Sequence, residues 1–341
     1  MASENDDRWD FEGLMSFNQE KIDILMATYN GEKYIREQIE SLQNQSYNNW
    51  TLLISDDGST DNTLAIVEEM QKTDQRIEVV ARNAGFHSAT KNFLSLLKVS
   101  SAPYVMFCDQ DDVWLRDKIE LSLTKIIELE ERFEKQTPLV VFTDSRVVNE
   151  QLECISESFT ATLDFDPCTI TLPQFLVGNV AQGSAMILNR AIVEKVIHED
   201  IPKSFEFHDH WIVCLAKAVG VVAYVKESTL LYRQHQGNVA GAIKSQSFGD
   251  RLASIVRTAL SRGWVKEMAR SAAKPVDRAC YFLASDLDIA EENEKQLELL
   301  ASIKEKKTFA RIKIIRELNL LRNQGIYSKI YQFVSILLIG L

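Results

Sequence analysis

Short apolar runs alternate with stretches of helical spacing along the first half of the chain. Between the runs, apolar residues recur every three or four positions, as in Tyr34, Ile35, Ile39 and Leu42, which is typical of amphipathic helices. Such alternation with short links predicts an α/β fold with a mostly parallel sheet covered by helices on both faces. The apolar runs that we interpret as strands lie at 22–27, 50–54, 77–80, 104–108 and 139–142.

The pattern is less regular after residue 149. Segments 184–188, 221–225 and 230–232 resemble strands and segment 208–218 resembles a helix, whereas beyond about residue 245 only helical spacing remains. We therefore predict three parts: a polar N-terminal tail over 1–20, an α/β domain over 21–245 and a helical C-terminal region over 246–341.

Composition narrows the class of protein. The chain carries 38 basic and 49 acidic residues, a net charge of −11, and such an acidic chain is a poor candidate for binding nucleic acid. Its five cysteines show neither zinc-site nor redox-motif spacing, which favours a reducing cytosol. No signal peptide is apparent and no stretch reaches the roughly 18 apolar residues of a membrane span. We expect a cytoplasmic protein.

Ligands of parallel sheets bind beyond the carboxyl ends of the strands, so the polar residues that follow each strand are the candidates for chemistry. Asp109, Asp111 and Asp112 directly follow the 104–108 run. Three crowded carboxylates repel one another without a cation, and hard oxygen ligands suit Mg²⁺ or Mn²⁺. A solvated turn that caps a helix is the alternative, and it would be favoured if this cluster stood alone.

Three further loops follow strands. Asp56 and Asp57 precede Gly58 and Ser59, and a carboxylate there can accept hydrogen bonds from a base or ribose. Tyr29, within the sequence Thr28-Tyr29-Asn30-Gly31, could stack on a flat base, and Arg82-Asn83 follows the third run. Turns, helix caps and a packed aromatic ring are the alternatives.

Two histidine-containing segments occur in the second half of the chain. Asp209 lies between His208 and His210 at the start of a predicted helix, which suits a general base because a neighbouring ring tunes its proton affinity. Glu206 is the next candidate base. An N-cap aspartate beside the packed Trp211 is the alternative. His235 could reach a metal or a phosphate, although a lone histidine is more often structural.

Together and in this order, these features resemble family 2 of the inverting glycosyltransferases, which have the GT-A fold. The resemblance covers about residues 21–240. It implies Asp209 as the catalytic base, Asp111 as a ligand of Mg²⁺ or Mn²⁺, and Tyr29 and Asp57, supported by Asp56, as nucleoside-binding residues. From the loops themselves we expect His235 as a further metal ligand. The full set of residues that we expect to bind the nucleotide-sugar is Thr28, Tyr29, Asn30, Asp56, Asp57, Arg82, Asp109 and Gln110.

Segments 24–31, 109–114 and 232–235 look like those of bacterial rhamnosyltransferases that build cell-wall and capsular polysaccharides. This implies dTDP-L-rhamnose as donor, a glycan or lipid-linked acceptor and a single displacement that inverts the anomeric centre. One alternative is a nucleotidyltransferase that makes a nucleotide-sugar, but it would usually need a Gly-rich, basic loop near the N-terminus, and the loop after Ala27 is neither. Another is an inactive carbohydrate-binding relative, against which the retained carboxylates argue.

The C-terminal segment 303–341 differs in charge from the rest of the chain. It contains eight basic and two acidic residues, a net charge of +6. Apolar residues recur every three positions, close enough to helical spacing to predict a shared apolar face: Phe309, Ile312, Ile315, Leu318 and Leu321. Basic residues beside such a face suit an interfacial helix on an anionic membrane, so we expect peripheral contact with the inner face of the cell membrane. A helix packed on the catalytic domain or at a dimer interface is the alternative.

Overall fold

A computed structural model describes residues 20–163, 165–235 and 264–320. The strands of the described residues form one mixed sheet in the order β3-β2-β1-β4-β8-β6-β9-β5, with β7 paired to β6. Their bounds are β1 Ile22–Thr28, β2 Trp50–Asp56, β3 Ile77–Ala81, β4 Tyr104–Cys108, β5 Val113–Trp114, β6 Leu139–Val148, β7 Cys154–Ser156, β8 Met186–Asn189 and β9 Val221–Arg233.

Helices connect the strands and follow them. The α-helices of the described residues are α1 Ile35–Gln43, α2 Thr63–Gln71, α3 Ala89–Val99, α4 Lys118–Phe133, α5 Leu172–Val177, α6 Arg190–His198, α7 His208–Val219, α8 Trp264–Ala284, α9 Glu291–Ala301 and α10 Thr308–Glu317. Short 3₁₀ turns occupy Thr160–Thr162, Gly183–Ala185 and Ser302–Glu305. The predicted helical character of the C-terminal region is confirmed for 264–320.

The first four strands are parallel neighbours. β1 pairs with β2 on one side and β4 on the other, and β2 pairs with β3. β8 is antiparallel to both β4 and β6, whereas β6 and β9 are parallel. The predicted mostly parallel α/β sheet is therefore confirmed. The carboxyl ends of β1, β2 and β4 meet at one edge, where the loops that contain Tyr29, Asp57 and Asp109 begin.

Some sequence-based bounds were wrong. The separate strands predicted at 221–225 and 230–232 are one strand, β9, which pairs with β6 over residues 139–148, well past the predicted end at 142. The pairing contains register irregularities around Asp144. Polar residues such as Asp144 and Ser145 are buried there because their hydrogen bonds are satisfied, which apolar periodicity cannot reveal.

The sheet separates two hydrophobic cores. Alternating side chains of β1 point to opposite faces: Leu25 belongs to one core, and Ile24 and Met26 belong to the other. The C-terminal helices share the Leu25 core, where Phe282 of α8 stacks on Trp211 of α7 with ring centroids 5.6 Å apart. The C-terminal helices therefore pack on the same face of the sheet as α7.

The apolar face predicted for the C-terminal segment is wrong for the described residues. Ile315 and Leu318 are buried in the core, whereas Phe309 is 89% exposed. Each three-residue step falls about 60° short of a full turn, so Phe309 and Leu318 lie on opposite sides of the helix axis. Leu321 and the remainder of the segment lie outside the described residues. Within the described part, no helix is both long and apolar enough to cross a membrane.

Candidate active site

The loops after β1 and β2 are bonded to each other. The Thr28 hydroxyl donates to Asp56 Oδ2 at 2.9 Å. The Asn30 amide N–H donates to Ser59 Oγ at 2.9 Å, and Thr60 N–H donates to Asn30 Oδ1 at 2.9 Å. Asn30 has a φ of 46°, a left-handed conformation that asparagine tolerates better than most residues. These bonds fix the loops after β1 and β2 against each other.

Asp56 is committed to the shape of its own loop. It is fully buried, and its Oδ1 accepts from the N–H groups of Gly58 at 3.0 Å and Ser59 at 2.9 Å. Its Oδ2 accepts from the hydroxyls of Thr28 and Ser59. With both oxygens occupied, Asp56 supports the loop that presents Asp57.

Asp57 anchors the loop that follows β3. Its two carboxylate oxygens accept from Phe86 N–H at 2.5 Å and Ser88 N–H at 3.1 Å. Three residues of this loop have positive φ: Asn83 at 53°, Gly85 at 67° and His87 at 49°. The Asp57 carboxylate therefore lies where the loops after β2 and β3 meet.

Arg82 lies at the end of β3 and is half-exposed. Its guanidinium pairs with Glu68 of α2. An anionic ligand that recruits Arg82 would have to compete with this exposed ion pair, which is a weak interaction in water.

Gln110 links the Asp109–Asp112 loop to the loop after β1. Its Oε1 accepts from Tyr29 N–H at 3.0 Å, and its Nε2 donates to the Tyr29 carbonyl at 3.0 Å. A Cβ on Gly31 would lie 2.3 Å from Oε1, so a side chain at position 31 would displace the Gln110 amide. Tyr29 itself is 55% exposed, which leaves its ring available to a flat ligand.

Asp109 and Asp112 are carboxyls of raised pKa at the end of β4. Burial, together with the neighbouring carboxylates Asp111 and Asp209, raises the pKa of Asp109 to about 7. Burial and the charges of Asp111 and Asp109 raise the pKa of Asp112 well above its usual range. Asp112 Oδ1 accepts from Arg233 N–H at 3.0 Å. These shifts indicate several carboxyls that converge at one point.

Asp111 and His235 meet although 124 residues separate them. His235 Nε2 lies 2.7 Å from Asp111 Oδ2, and the His235 ring packs on Tyr34 with centroids 4.7 Å apart. Arg233 joins the segments that contain Asp111 and His235, because its Nε donates to the Asp111 carbonyl at 2.8 Å. Its Nη1 also donates to the Glu150 carbonyl at 2.8 Å. The side chains of Asp111 and His235 are 17% and 10% exposed, so a ligand can reach them.

This pair fits a divalent cation. Mn²⁺ binds both carboxylate oxygen and imidazole nitrogen, whereas Mg²⁺ prefers the carboxylate oxygen. Among residues 20–163, 165–235 and 264–320, no group of three or more His, Cys, Asp or Glu side chains is arranged to hold a metal ion. Such a cation would take its remaining ligands from substrate phosphates and water.

Asp209 lies in the first turn of α7. Its Oδ2 accepts from Gly183 N–H at 3.2 Å and its Oδ1 from His210 N–H at 2.7 Å. Burial raises the pKa of Asp209 to about 6, against these hydrogen bonds, which lower it. The influence of Asp209 on the pKa of Asp109 places Asp209 in the same electrostatic cluster as the strand-end carboxyls.

The neighbours of Asp209 serve other purposes. Glu206 is exposed and ion-paired with Lys274 of α8, which lowers its pKa, so it is a poor proton acceptor. His208 stacks on Phe93 with centroids 4.5 Å apart, and burial lowers its pKa to about 3, so its ring is neutral. His210 Nε2 lies 2.6 Å from the Phe175 carbonyl. Of these candidates, Asp209 has the properties of a base.

Two parts of the site were missed from the sequence. Gly183, in a 3₁₀ turn remote in sequence from α7, hydrogen-bonds the Asp209 carboxylate. Lys118 is fully buried behind the acidic loop. Burial lowers its pKa to about 7, although Cys108 and Asp112 act in the opposite direction. No local pattern marks either residue, since each gains its role from tertiary packing.

Comparison with known proteins indicates the family that this chain resembles. Residues 23–187 match the family model described as Glycosyl transferase family 2. The chain is 28% identical over 258 residues to dTDP-rhamnosyl transferase RfbG of Shigella flexneri, covering 73% of this chain and 84% of that protein. It is 34% identical over 108 residues to the Escherichia coli UDP-Glc:alpha-D-GlcNAc-diphosphoundecaprenol beta-1,3-glucosyltransferase WfgD, covering 31% of this chain and 41% of that protein.

A solved structure supports the fold. TarS 1–349 of S. aureus, in complex with UDP-GlcNAc, superposes with a TM-score of 0.52 at 16% identity and covers 93% of this chain and 90% of that chain. The molecule thus has the GT-A fold. The predicted resemblance to glycosyltransferase family 2 is confirmed over residues 23–187.

Proposed function

We propose that the protein transfers a sugar, with inversion, from a nucleotide-sugar to an acceptor hydroxyl, with Asp209 as general base. One observation carries this proposal. Asp209 is a carboxyl of raised pKa at the start of α7. Asp109 lies near enough to both Asp209 and Asp111 for their charges to raise its pKa, and Asp111 contacts His235. A single displacement uses a base at the acceptor hydroxyl and a cation beside the departing phosphates.

Asp209 would remove the proton from the acceptor hydroxyl. A carboxylate with a pKa of about 6 is largely ionised at neutral pH, yet it is a stronger base than an ordinary aspartate. Its hydrogen bonds from Gly183 and His210 fix its orientation. The attacking oxygen and the leaving group lie on opposite faces of the sugar, so the anomeric configuration inverts.

The donor nucleoside would lie over the loops after β1 and β2. The exposed ring of Tyr29 would stack on the base, and Asp57 would accept a hydrogen bond from the base in exchange for one of its bonds to Phe86 or Ser88. Thr28, Asn30, Asp56 and Gln110 would hold the floor of this subsite. Arg82 would exchange Glu68 for the donor, and Asp109 would face its sugar side.

We assign the divalent cation to Asp111 and His235, with Mg²⁺ or Mn²⁺ as the ion. When bound, such an ion neutralises the charge of a departing nucleoside diphosphate. The ion pair Arg233–Glu37 and the Arg233 bond to the Asp111 carbonyl hold the Asp111 loop in place before the donor arrives.

We propose dTDP-L-rhamnose as the donor and a cell-surface glycan or its lipid-linked precursor as the acceptor. The similarity to RfbG, whose name specifies a dTDP-rhamnosyl transferase, supports the donor. The similarity to WfgD, whose name specifies a diphosphoundecaprenol-linked acceptor, supports the acceptor. A lipid-linked acceptor would bring the enzyme from the cytoplasm to the inner face of the membrane.

A donor panel tests the proposal. Nucleoside diphosphate release and donor binding are measured with dTDP-L-rhamnose, UDP-glucose, UDP-GlcNAc and GDP-mannose, each with Mn²⁺, Mg²⁺ or EDTA. We expect tightest binding and fastest release with dTDP-L-rhamnose. Preference for another donor would reject only the assignment of dTDP-L-rhamnose. Failure to bind any of the four donors would reject the proposal that the protein uses one of them for sugar transfer.

A further inference from the structure

The turn before α10 and the outer side of α10 form an exposed basic surface. We call it the basic face, and it consists of Lys306, Lys307, Phe309, Lys313 and Arg316. Residues 302–320 contain six basic and two acidic residues, a net charge of +4 within a chain of net −11. The basic face is therefore a local reversal of the charge of the protein.

The other two cations of the segment have internal partners. Lys304 Nζ lies 2.6 Å from Asp277 Oδ1 of α8, and Arg311 Nε donates to the Lys306 carbonyl at 2.8 Å. In contrast, the four cations of the basic face make no ion pair within the part of the chain that the structure describes. Their charges are not used to stabilise the fold.

Phe309 projects from the middle of these cations. It is 89% exposed, the most exposed large apolar side chain among the described residues. The opposite side of α10 is packed into the core through Ile314, Ile315 and Leu318. Because α10 is already anchored there, Phe309 and the cations are presented on a fixed helix rather than on a free tail.

We propose that the basic face binds an anionic lipid bilayer, with Phe309 inserted at the level of the headgroups and the four cations over lipid phosphates. An interfacial aromatic ring flanked by long cationic side chains matches the chemistry of that layer. A stable protein interface buries about 800 Å² on each partner around an apolar centre. A single projecting phenylalanine does not supply such a centre, which argues against a second copy of this chain.

Vesicle co-sedimentation of the full chain tests the inference, without donor or acceptor. We expect binding to vesicles of phosphatidylglycerol and phosphatidylcholine, release at high salt and no binding to pure phosphatidylcholine. Replacing Lys306, Lys307, Lys313 and Arg316 by Gln should weaken partitioning at least about 30-fold, and Phe309→Ala about 5- to 10-fold.

The matched control replaces four exposed lysines elsewhere by Gln: Lys72, Lys98, Lys203 and Lys226. It removes the same charge from the whole protein and should keep at least half of the binding. Circular dichroism checks that each variant is folded. Equal binding by the basic-face and control variants would overturn the proposal, as would absence of binding by the wild type. Loss of a dimer from the basic-face variant in light scattering would assign the surface to a second copy instead.

The test is independent of the proposed enzymatic function. Vesicle binding needs no catalysis, so a variant such as Asp209→Asn should sediment like the wild type. If the protein binds vesicles but no donor, the membrane inference stands and the enzymatic proposal fails. If it binds a donor but no vesicles, the enzymatic proposal stands and the membrane inference fails.

Discussion

The amide of Gln110 pairs with both peptide groups of Tyr29, accepting from its N–H and donating to its carbonyl, each at 3.0 Å. This pairing resembles a bridge between two strands, but a side chain provides one partner. It fastens the acidic loop after β4 to the loop that presents the Tyr29 ring. The fit depends on Gly31, where an added Cβ would lie 2.3 Å from Gln110 Oε1.

We predict that Gly31→Ala displaces the Gln110 amide and weakens donor binding. The Gln110 amide lies at the end of a flexible side chain and can move aside, so the expected cost is that of its two hydrogen bonds, about 0.5–1.5 kcal/mol each. The free energy of unfolding is measured in urea, and the donor Kd by calorimetry. Gly31→Ala should lower stability and raise the Kd.

The double variant provides the control. Gln110→Ala removes the atom that the new methyl group would meet, so Gly31→Ala should cost much less in that background. The two effects should therefore be non-additive by about 1 kcal/mol or more. Strict additivity would mean that Gln110 does not constrain position 31.

We predict that Asp209→Asn lowers kcat by about 10²–10⁴-fold, the usual cost of losing a general base. Asparagine retains the size of the side chain and can still accept from Gly183 N–H, but it cannot take a proton near neutral pH. The donor Kd should change little, because the base acts on the acceptor.

Glu206→Gln is the matched control for that variant. Glu206 is three residues away and exposed, and it is ion-paired with Lys274. Its replacement should leave kcat within about threefold of wild type, in line with the small contribution of an exposed ion pair. A larger loss from Glu206→Gln than from Asp209→Asn would reverse the assignment.

The raised pKa of Asp209 predicts an acid limb in the rate profile. The base is lost when Asp209 is protonated, so kcat/KM should fall as the pH drops below about 6. The limb should persist in Glu206→Gln and disappear from the residual activity of Asp209→Asn. A limb that stays near 6 in Asp209→Asn would belong to another group.

The same shift predicts the sign of a stability effect. Folding raises the pKa of Asp209 from 3.8 to about 6, so the folded state favours the protonated form. That contribution is fully present below 3.8 and is lost as the pH rises through 6. Above pH 6, Asp209→Asn should be more stable than the wild type by about 1–2 kcal/mol. Urea unfolding at pH 5 and pH 8 measures this, and a gain that does not grow with pH would contradict it.

The sequence was sufficient to predict the sheet, and it located the candidate site at the strand ends, because both inferences depend on local patterns. Apolar runs such as 104–108 end at polar residues, and parallel strands bring their carboxyl ends to one edge. It could not reveal which polar residues serve the fold. Asp56 and Asp57 are adjacent and chemically identical. The three-dimensional contacts show that Asp56 is bonded within its own loop, whereas Asp57 is bonded to the loop after β3.

The helical C-terminal segment shows a second limit. Its three-residue spacing is compatible with a helix, but a helix of 3.6 residues per turn distributes such positions over half its circumference. Ile315 therefore packs in the core while Phe309 faces outward. The charge of the segment was readable from the sequence, whereas the side of the helix that carries it depended on which residues are buried in the core shared with α8 and α9.

The contact between Asp111 and His235, 2.7 Å apart, leads to a prediction about metal binding. Asp111→Asn and His235→Gln should each weaken Mn²⁺ affinity by about tenfold or more, since even outer-shell changes at metal sites cost about 10–100-fold. Manganese binding is measured by electron paramagnetic resonance, with and without the nucleoside diphosphate.

The matched control is Asp117→Asn. Asp117 is an exposed aspartate at the start of α4, so its replacement removes the same charge nearby and should leave the Mn²⁺ affinity unchanged. The nucleotide should strengthen binding in the wild type because its phosphates supply ligands that the two side chains do not. If Asp111→Asn and Asp117→Asn bind Mn²⁺ equally well, the cation is held elsewhere and Asp111 serves only to orient His235.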